Sequence, residues 1–195
     1  MALLYSFSRT AGLSLITGAG VFLRAPDMRD YEEWALLREE SRAFLTPWEP
    51  VWPADDLTRP SFRRRLRRYS KEAREDTAYP FFIFRSEDSA LVGGCTLSNV
   101  ARGVQQYATL GYWAGERHAG KGFVTAAVRA LAPYAFDELR LHRIQAACLP
   151  ENEPSKAVLR KTGFEEEGIA RGYLRINGTW RDHLLFAMLA SDVRS

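Results

Sequence analysis

Hydrophobic positions along this chain switch repeatedly between a period of two and a period of about 3.6, and the switching predicts its elements. Residues 20–24 read as a short first strand. Asp27 is placed to cap a helix, with Asp30 as its capping-box-like partner, and that helix runs to about Phe44. Residues 46–53 hold three prolines and two tryptophans and predict an ordered loop. Residues 61–74 return to helical spacing, with Phe62, Leu66 and Tyr69 inward and arginines outward. Strands follow at 79–85, 91–98 and 106–113, the first two joined by the turn Glu87-Asp88-Ser89. A helix spans 123–138 and a strand 142–149. After the break from Pro150 to Pro154 comes a short helix at 155–162, closed by Gly163. Residues 164–176 and 180–189 alternate around Asn177-Gly178, a type I′ hairpin signal.

The predicted order is β-α-α-β-β-β-α-β-α-β-β. That is an α/β (α+β) chain with a mixed, mainly antiparallel sheet and helices on both faces. Its 195 residues suit one domain, assigned to 20–195, with 1–19 as an N-terminal extension that receives no role. With 46% hydrophobic and 12% aromatic residues the chain can bury a core, which argues against disorder. No apolar run reaches membrane-spanning length, and serine, arginine and glycine interrupt the first twenty residues too often for a signal peptide. The two cysteines, Cys95 and Cys148, lie in apolar runs and read as small buried hydrophobes. No cysteine–histidine spacing suggests a metal site. A cytoplasmic protein without membrane contact is the expectation.

The net charge of +3 is modest but locally concentrated. Arg59, Arg63, Arg64, Arg65, Arg67 and Arg68 crowd into ten residues. The solvated face of a helix is the simpler account, and a contact to phosphates is the sharper one.

Candidate chemistry begins at Arg117-His118-Ala119-Gly120-Lys121-Gly122, an R-x-x-G-x-G stretch between a predicted strand and a predicted helix. Gly120 and Gly122 let backbone N–H groups approach an anion with no Cβ in the way. The helix N-terminus adds unpaired donors and partial positive charge, and Arg117 and Lys121 add formal charge. The ligand this predicts is a pyrophosphate-bearing cofactor, against the alternative of a plain tight turn. Three glycines at dinucleotide-fold spacing are absent. Lys121 is followed by glycine, which excludes a P-loop. A second anchor reads N-x-x-S-x-x-x-L-x-x-x-G-F, with Asn152, Ser155, Leu159 and Phe164. Ser155 taken alone is an ordinary helix N-terminal hydroxyl.

Together the two motifs resemble the GNAT superfamily of N-acetyltransferases. Residues 44–50 (F-L-T-P-W-E-P), 98–103 (S-N-V-A-R-G) and 172–183 (G-Y-L-R-I-N-G-T-W-R-D-H) resemble one branch, the ribosomal-protein-alanine N-acetyltransferases of RimJ and RimL type, and their wording is closest to RimJ. The resemblance implies the GNAT fold, with two parallel strands that splay apart, and acetyl-CoA as co-substrate. The pyrophosphate would sit on backbone amides of Arg117, His118, Ala119, Gly120, Lys121 and Gly122. The pantetheine arm would add like a strand along Tyr112, Trp113 and Ala114. An N–H near Gly111 or Tyr112 would polarise the thioester carbonyl, and Asn152 and Ser155 would touch the arm from the other strand.

The acceptor implied is an N-terminal α-amine, foremost the N-terminal alanine of a small-subunit ribosomal protein, attacking directly in a ternary complex. Glu49 is the candidate base, and Trp48, Glu49 and Asp182 border the acceptor cleft. Ser155 or Tyr173 would protonate the leaving thiolate, and His183 packs at a strand or relays a proton. A small-molecule amine or peptide antibiotic is an alternative acceptor. A ribosome- or RNA-binding assembly factor, using the arginine-rich helix, is an alternative of another class. Monomer and dimer both remain open.

Overall fold

The computed structural model describes residues 14–193. Eight strands form one sheet: β1 (Ile16–Gly18), β2 (Val21–Arg24), β3 (Tyr79–Arg85), β4 (Leu91–Ala101), β5 (Tyr107–Ala114), β6 (Arg143–Cys148), β7 (Glu165–Ile176) and β8 (Thr179–Leu189). Their order across the sheet is β1-β2-β3-β4-β5-β6-β8-β7. Every neighbouring pair is antiparallel except β5–β6. Five helices accompany it: α1 (Tyr31–Glu40), α2 (Arg42–Leu45), α3 (Arg59–Arg74), α4 (Phe123–Pro133) and α5 (Glu153–Lys161). A π-helical turn, Tyr134–Glu138, extends α4 to the predicted end.

Alternation along β3 divides two cores. Phe81 and Ile83 face α4, with Ala127, Val128 and Leu131 across from them and Leu159 of α5 in the same core. Phe82 and Phe84 face the other way, onto Trp34 and Leu37 of α1 and Phe62 of α3. The rings of Trp34 and Phe62 lie 4.7 Å apart. Because both faces are covered, β3 reads as a nearly continuous apolar run.

Three departures from the sequence pattern have local causes. The single helix expected from Asp27 to Phe44 is a 3-10 turn (Met28–Asp30) followed by α1 and α2. The expected capping box is present, with Asp27 accepting from the Arg29 backbone N–H and Asp30 accepting from Asp27. The break falls at Ser41, whose buried hydroxyl accepts from the Glu116 N–H at 2.9 Å, so the helix yields to a tertiary bond. Helix α3 begins two residues early, because Thr58 caps it and Pro60 fits its first turn. Residues 1–13 of the expected extension lie outside the described residues, but Ile16–Gly18 is strand β1, paired with β2. Gly18 lies so close to α4 that a Cβ there would come within 2.9 Å of Ala130.

The feature that positions the site is the end of the parallel pairing. β5 and β6 pair from Tyr107↔Arg143 to Leu110↔Ala146 and then part. Beyond that point Gly111–Ala114 stays paired with Thr96–Gly93 of β4, while Ala147 and Cys148 stay paired with Leu185 and Leu184 of β8. β4 carries Gly93 and Gly94 here, and a Cβ on Gly93 would lie 2.1 Å from the Trp113 carbonyl oxygen. The missing side chains let β5 close onto β4 as it leaves β6.

Candidate active site

Among the described residues, the edge of β5 from Gly111 to Ala114 that faces β6 has no strand partner. Unpaired backbone groups of this kind want hydrogen bonds, and an extended ligand arm with amides supplies them. Across the opening the Tyr112 hydroxyl lies 2.8 Å from Ser155 Oγ and 3.2 Å from the Ser155 carbonyl oxygen, so one tyrosine ties β5 to the first turn of α5. Burial pushes the Tyr112 phenol up, which keeps it protonated at neutral pH. Asn152 caps α5, its side-chain oxygen accepting from the Ser155 N–H at 3.1 Å. Burial likewise pushes the Cys148 thiol up, away from the reactive thiolate.

The glycine loop opens α4. Gly120 (φ +71°) and Gly122 (φ +82°) occupy the left-handed region, and a Cβ on either would meet only open space. Glycine is needed there for conformation and for approach from outside. Gly122 is the N-cap of α4 and supplies no side-chain cap, and the first turn holds no acidic residue. The first N–H groups of that helix are therefore capped by no side chain among the described residues. Two of the six residues named for the expected cradle have backbone N–H groups already engaged. A 3-10 turn, Glu116–His118, already bonds the His118 N–H to Gly115 (2.8 Å) and the Ala119 N–H to Glu116 (3.0 Å).

Charge in the cradle is also redistributed. Arg117 is tied to Glu40 at 2.9 Å, whereas Lys121 is exposed with no ion-pair partner among the described residues. The His118 ring is buried edge-on to Phe123, with Nε2 accepting from Arg117 and Nδ1 without a partner among the described residues. Burial first, then the Arg117 charge, lowers its pKa and favours the neutral ring.

On the other side of the opening, Glu49 is engaged. Its carboxylate accepts from both terminal nitrogens of the buried Arg38 at 2.7 and 2.6 Å and from the Trp52 indole at 2.7 Å. The Arg38 guanidinium lies 4.0 Å from the Trp52 ring centroid and 4.9 Å from that of Trp113 on β5. The cluster pins the loop after α2 onto α1 beside the open strand. Trp48, half-buried, sits in the 3-10 turn Thr46–Trp48 just before it. The β7–β8 hairpin docks on the same loop through the Asn177 N–H and the Glu49 carbonyl, 2.9 Å apart.

Asp182 accepts from the Gly172 N–H at 2.7 Å and so closes the bulge that interrupts β7–β8 pairing. Tyr173, 44% exposed, packs edge-on against buried His183. Ser155 thus joins Tyr112 and Asn152, while Tyr173 joins His183 in a separate contact. Arg38 and Trp52 escaped the sequence reading. Their signal was weak: an arginine sharing the inward stripe of α1 with Trp34 and Leu37. Among the described residues no group of His, Cys, Asp or Glu could hold a metal ion, and no helix is long and apolar enough to cross a membrane.

A sheet opened at its parallel pair, with a helix N-terminus that no side chain caps beside the opening, can seat an extended amide-bearing arm with an anionic end. The chain belongs to the GNAT acetyltransferases, since the family model described as Acetyltransferase (GNAT) domain matches residues 21–165. It is 39% identical over 178 residues to the Bacillus subtilis protein named Probable N-acetyltransferase YjcK, covering 91% of this chain and 98% of that one. It is 35% identical over 167 residues to the [Ribosomal protein uS5]-alanine N-acetyltransferase of Escherichia coli, covering 85% and 86%. The solved structure of Mycobacterium smegmatis RimJ in complex with CoA-disulfide superposes with a TM-score of 0.86 at 36% identity, over 94% of this chain and 89% of that one. The resemblance to the RimJ type carried by the motifs agrees with these similarities.

The Arg38–Glu49 contact generates a stability prediction. Arg38→Met strands a half-buried carboxylate and is expected to cost about 3–5 kcal/mol, whereas Arg38→Met with Glu49→Met costs less than that single change. Urea midpoints of the single and double variants check this, and strictly additive losses would contradict it.

Proposed function

We propose that this acetyltransferase transfers the acetyl group of acetyl-CoA to the N-terminal α-amine of a ribosomal protein, with alanine as the first residue, in the cytoplasm. The observation that carries the reading is the open β5 edge, Gly111–Ala114, beside the start of α4, which no side chain caps among the described residues. The E. coli relative, whose name states uS5-alanine acetylation, supports the choice of acceptor. In this reading Gly120, Lys121, Gly122 and the first turn of α4 hold the pyrophosphate. Tyr112, Trp113 and Ala114 hold the pantetheine arm, with Asn152 and Ser155 bordering it. The Gly111 or Tyr112 N–H polarises the thioester carbonyl.

The amine attacks the carbonyl carbon, the carbon–sulfur bond breaks, the new amide nitrogen gives up a proton to water in the cleft, and the thiolate takes a proton. Ser155 is assigned that donation, resupplied through Tyr112, since the two hydroxyls are in hydrogen-bond contact. Tyr173 is assigned to the acceptor wall, because it contacts His183 on the hairpin. An α-amine titrates about 2–3 units below a lysine amine, so much of it is already neutral near pH 7.5. It needs little help from a base. Glu49 therefore becomes the anchor of the acceptor loop in place of the general base, since three donors already engage its carboxylate. Asp182 and Trp48 shape the same side of the cleft.

A secondary part, contact with ribosomal RNA, rests on a separate observation. Arg64, Arg65 and Arg68 of α3 have carboxylate partners, but Arg63, Arg67 and Arg74 line one exposed stripe with none among the described residues. Retention on ribosomal RNA should fall steeply with salt and vanish when the three are changed to glutamate. Retention that ignores salt would remove RNA from the account.

Thiol release from acetyl-CoA with a panel of acceptors tests the main reading. Turnover is expected with an alanine-start peptide and absent with the same peptide blocked at its N-terminus but bearing a free lysine. Turnover confined to small amines would overturn the assignment.

A further inference from the structure

Among the described residues, the helices on the half of the sheet opposite α4 and α5 pack against β2, β3, the start of β4 and Trp113 near the end of β5. There Phe82, Phe84 and Leu91 meet Trp34, Leu37 and Phe62. Farther along β4, Cys95 and Leu97 point into the α4-side core, which sends Thr96 and Ser98 to the opposite face. Tyr112 packs against the α4-side core too, so Gly111 shares the face of Thr96. Thr96 and Gly111 are directly paired across β4 and β5. A Cβ on Gly111 would have nothing within 4 Å, so the space above it is open.

Beside this pair lies a groove of about 650 Å³, walled by Arg68, Tyr69 and Glu72 of α3 and floored by Thr96 and Ser98. It starts one strand spacing, about 4.8 Å, from Gly111, where the reacting thioester is placed. It runs along β4 to Val100, whose N–H bonds the Thr77 carbonyl at 3.1 Å and closes the far end. Four residues of extended strand span about 13 Å. The floor offers the Thr96 hydroxyl and, as an acceptor, the Ser98 hydroxyl, which itself donates to the Thr109 carbonyl at 3.2 Å, and the wall offers an aromatic ring and charges of both signs, with Glu72 and Arg68 3.5 Å apart. Such a lining suits a main chain with small or charged side chains, and an apolar acyl or aromatic body would leave its polar groups unsatisfied.

We propose that this α3–β4 groove takes the acceptor polypeptide's second to about fifth residues, so that the enzyme reads a short segment behind the acetylated amine. The proposal rests on the reading of the chain as an N-terminal transferase and assigns a substrate subsite to its open sheet face. Glu72, at the rim, faces the segment and favours lysine or arginine there. Gly111 leaves room for the first residue, and the bond between Val100 and Thr77 sets where the segment must lift away.

Alanine-start peptides of two to eight residues, assayed at saturating acetyl-CoA, test it. In the wild type KM should fall with length and level off near five residues. Ser98→Trp fills the groove and should raise KM for the octapeptide about tenfold, leaving the dipeptide KM, the kcat and the acetyl-CoA KM unchanged. Glu72→Arg, a rim change that spares the sheet, should abolish the preference for basic residues at positions two to five. A length dependence that survives both substitutions overturns the groove assignment while leaving N-terminal acetylation standing. No length dependence in the wild type also overturns it. A wild type that acetylates only small amines overturns the transferase reading and the groove with it.

Discussion

Everything at the site depends on the parting of β5 and β6 after four paired residues. A sheet normally satisfies its backbone groups by continuing, and here it stops continuing in its own middle. The cost is held locally. Each strand keeps its outer neighbour, β4 for one and β8 for the other, so the opening removes one ladder and leaves the rest intact. The flanking cores stay continuous across the gap, with Leu110, Ile144, Ala146 and Phe186 in one cluster. Gly93 and Gly94 accommodate the strand that leans away, and Tyr112 reaches over the opening to Ser155. The outcome is a mouth already open in the fold, whose unpaired edge is available to an amide-bearing arm without breaking a strand ladder, which is how preorganisation saves binding free energy.

The charged groups follow the same economy. The glycine loop brings amides and a helix end to one place, and its most conspicuous charge, Arg117, is partly neutralised by Glu40. Lys121, without an ion-pair partner among the described residues, and the partial charge of the α4 N-terminus are left as anion attractants. On the acceptor side, Arg38 and Glu49 lie largely out of water, where the gain from their attraction is offset by desolvation. Their value is geometric. A bidentate pair between two tryptophan rings fixes the loop between α2 and α3 against β5, and the β7–β8 hairpin builds on that loop. The pieces that would recognise an acceptor are thereby keyed to the strand that would hold the donor.

Much of this was legible in the residues. The strand and helix order followed from periodicity, and Asn177-Gly178 marked a hairpin whose residues both adopt positive φ. The R-x-x-G-x-G and N-x-x-S motifs located both flanks of the opening. Other parts were hidden because they depend on contacts distant in sequence. Ser41 breaks α1 from α2 through a bond to Glu116, 75 residues away. Strand β1 is too short to announce itself and is held by pairing and by α4. Glu49 stood out for its rigid proline-flanked loop, yet its partner Arg38 lies in another helix, so a free base and an anchored one look alike in sequence. His118 read as part of a phosphate cradle, and its burial and spent N–H appear only in three dimensions.

The central claim is that the unpaired β5 edge and the N-terminus of α4 together seat acetyl-CoA. Residue-resolved amide hydrogen exchange, with and without acetyl-CoA, tests it most directly. The account predicts new protection confined to residues 111–114 and 120–125, with little change at 107–110, where β6 already pairs. Saturating acetyl-CoA that leaves 111–114 and 120–125 as open as before, or protects a different face, would contradict it.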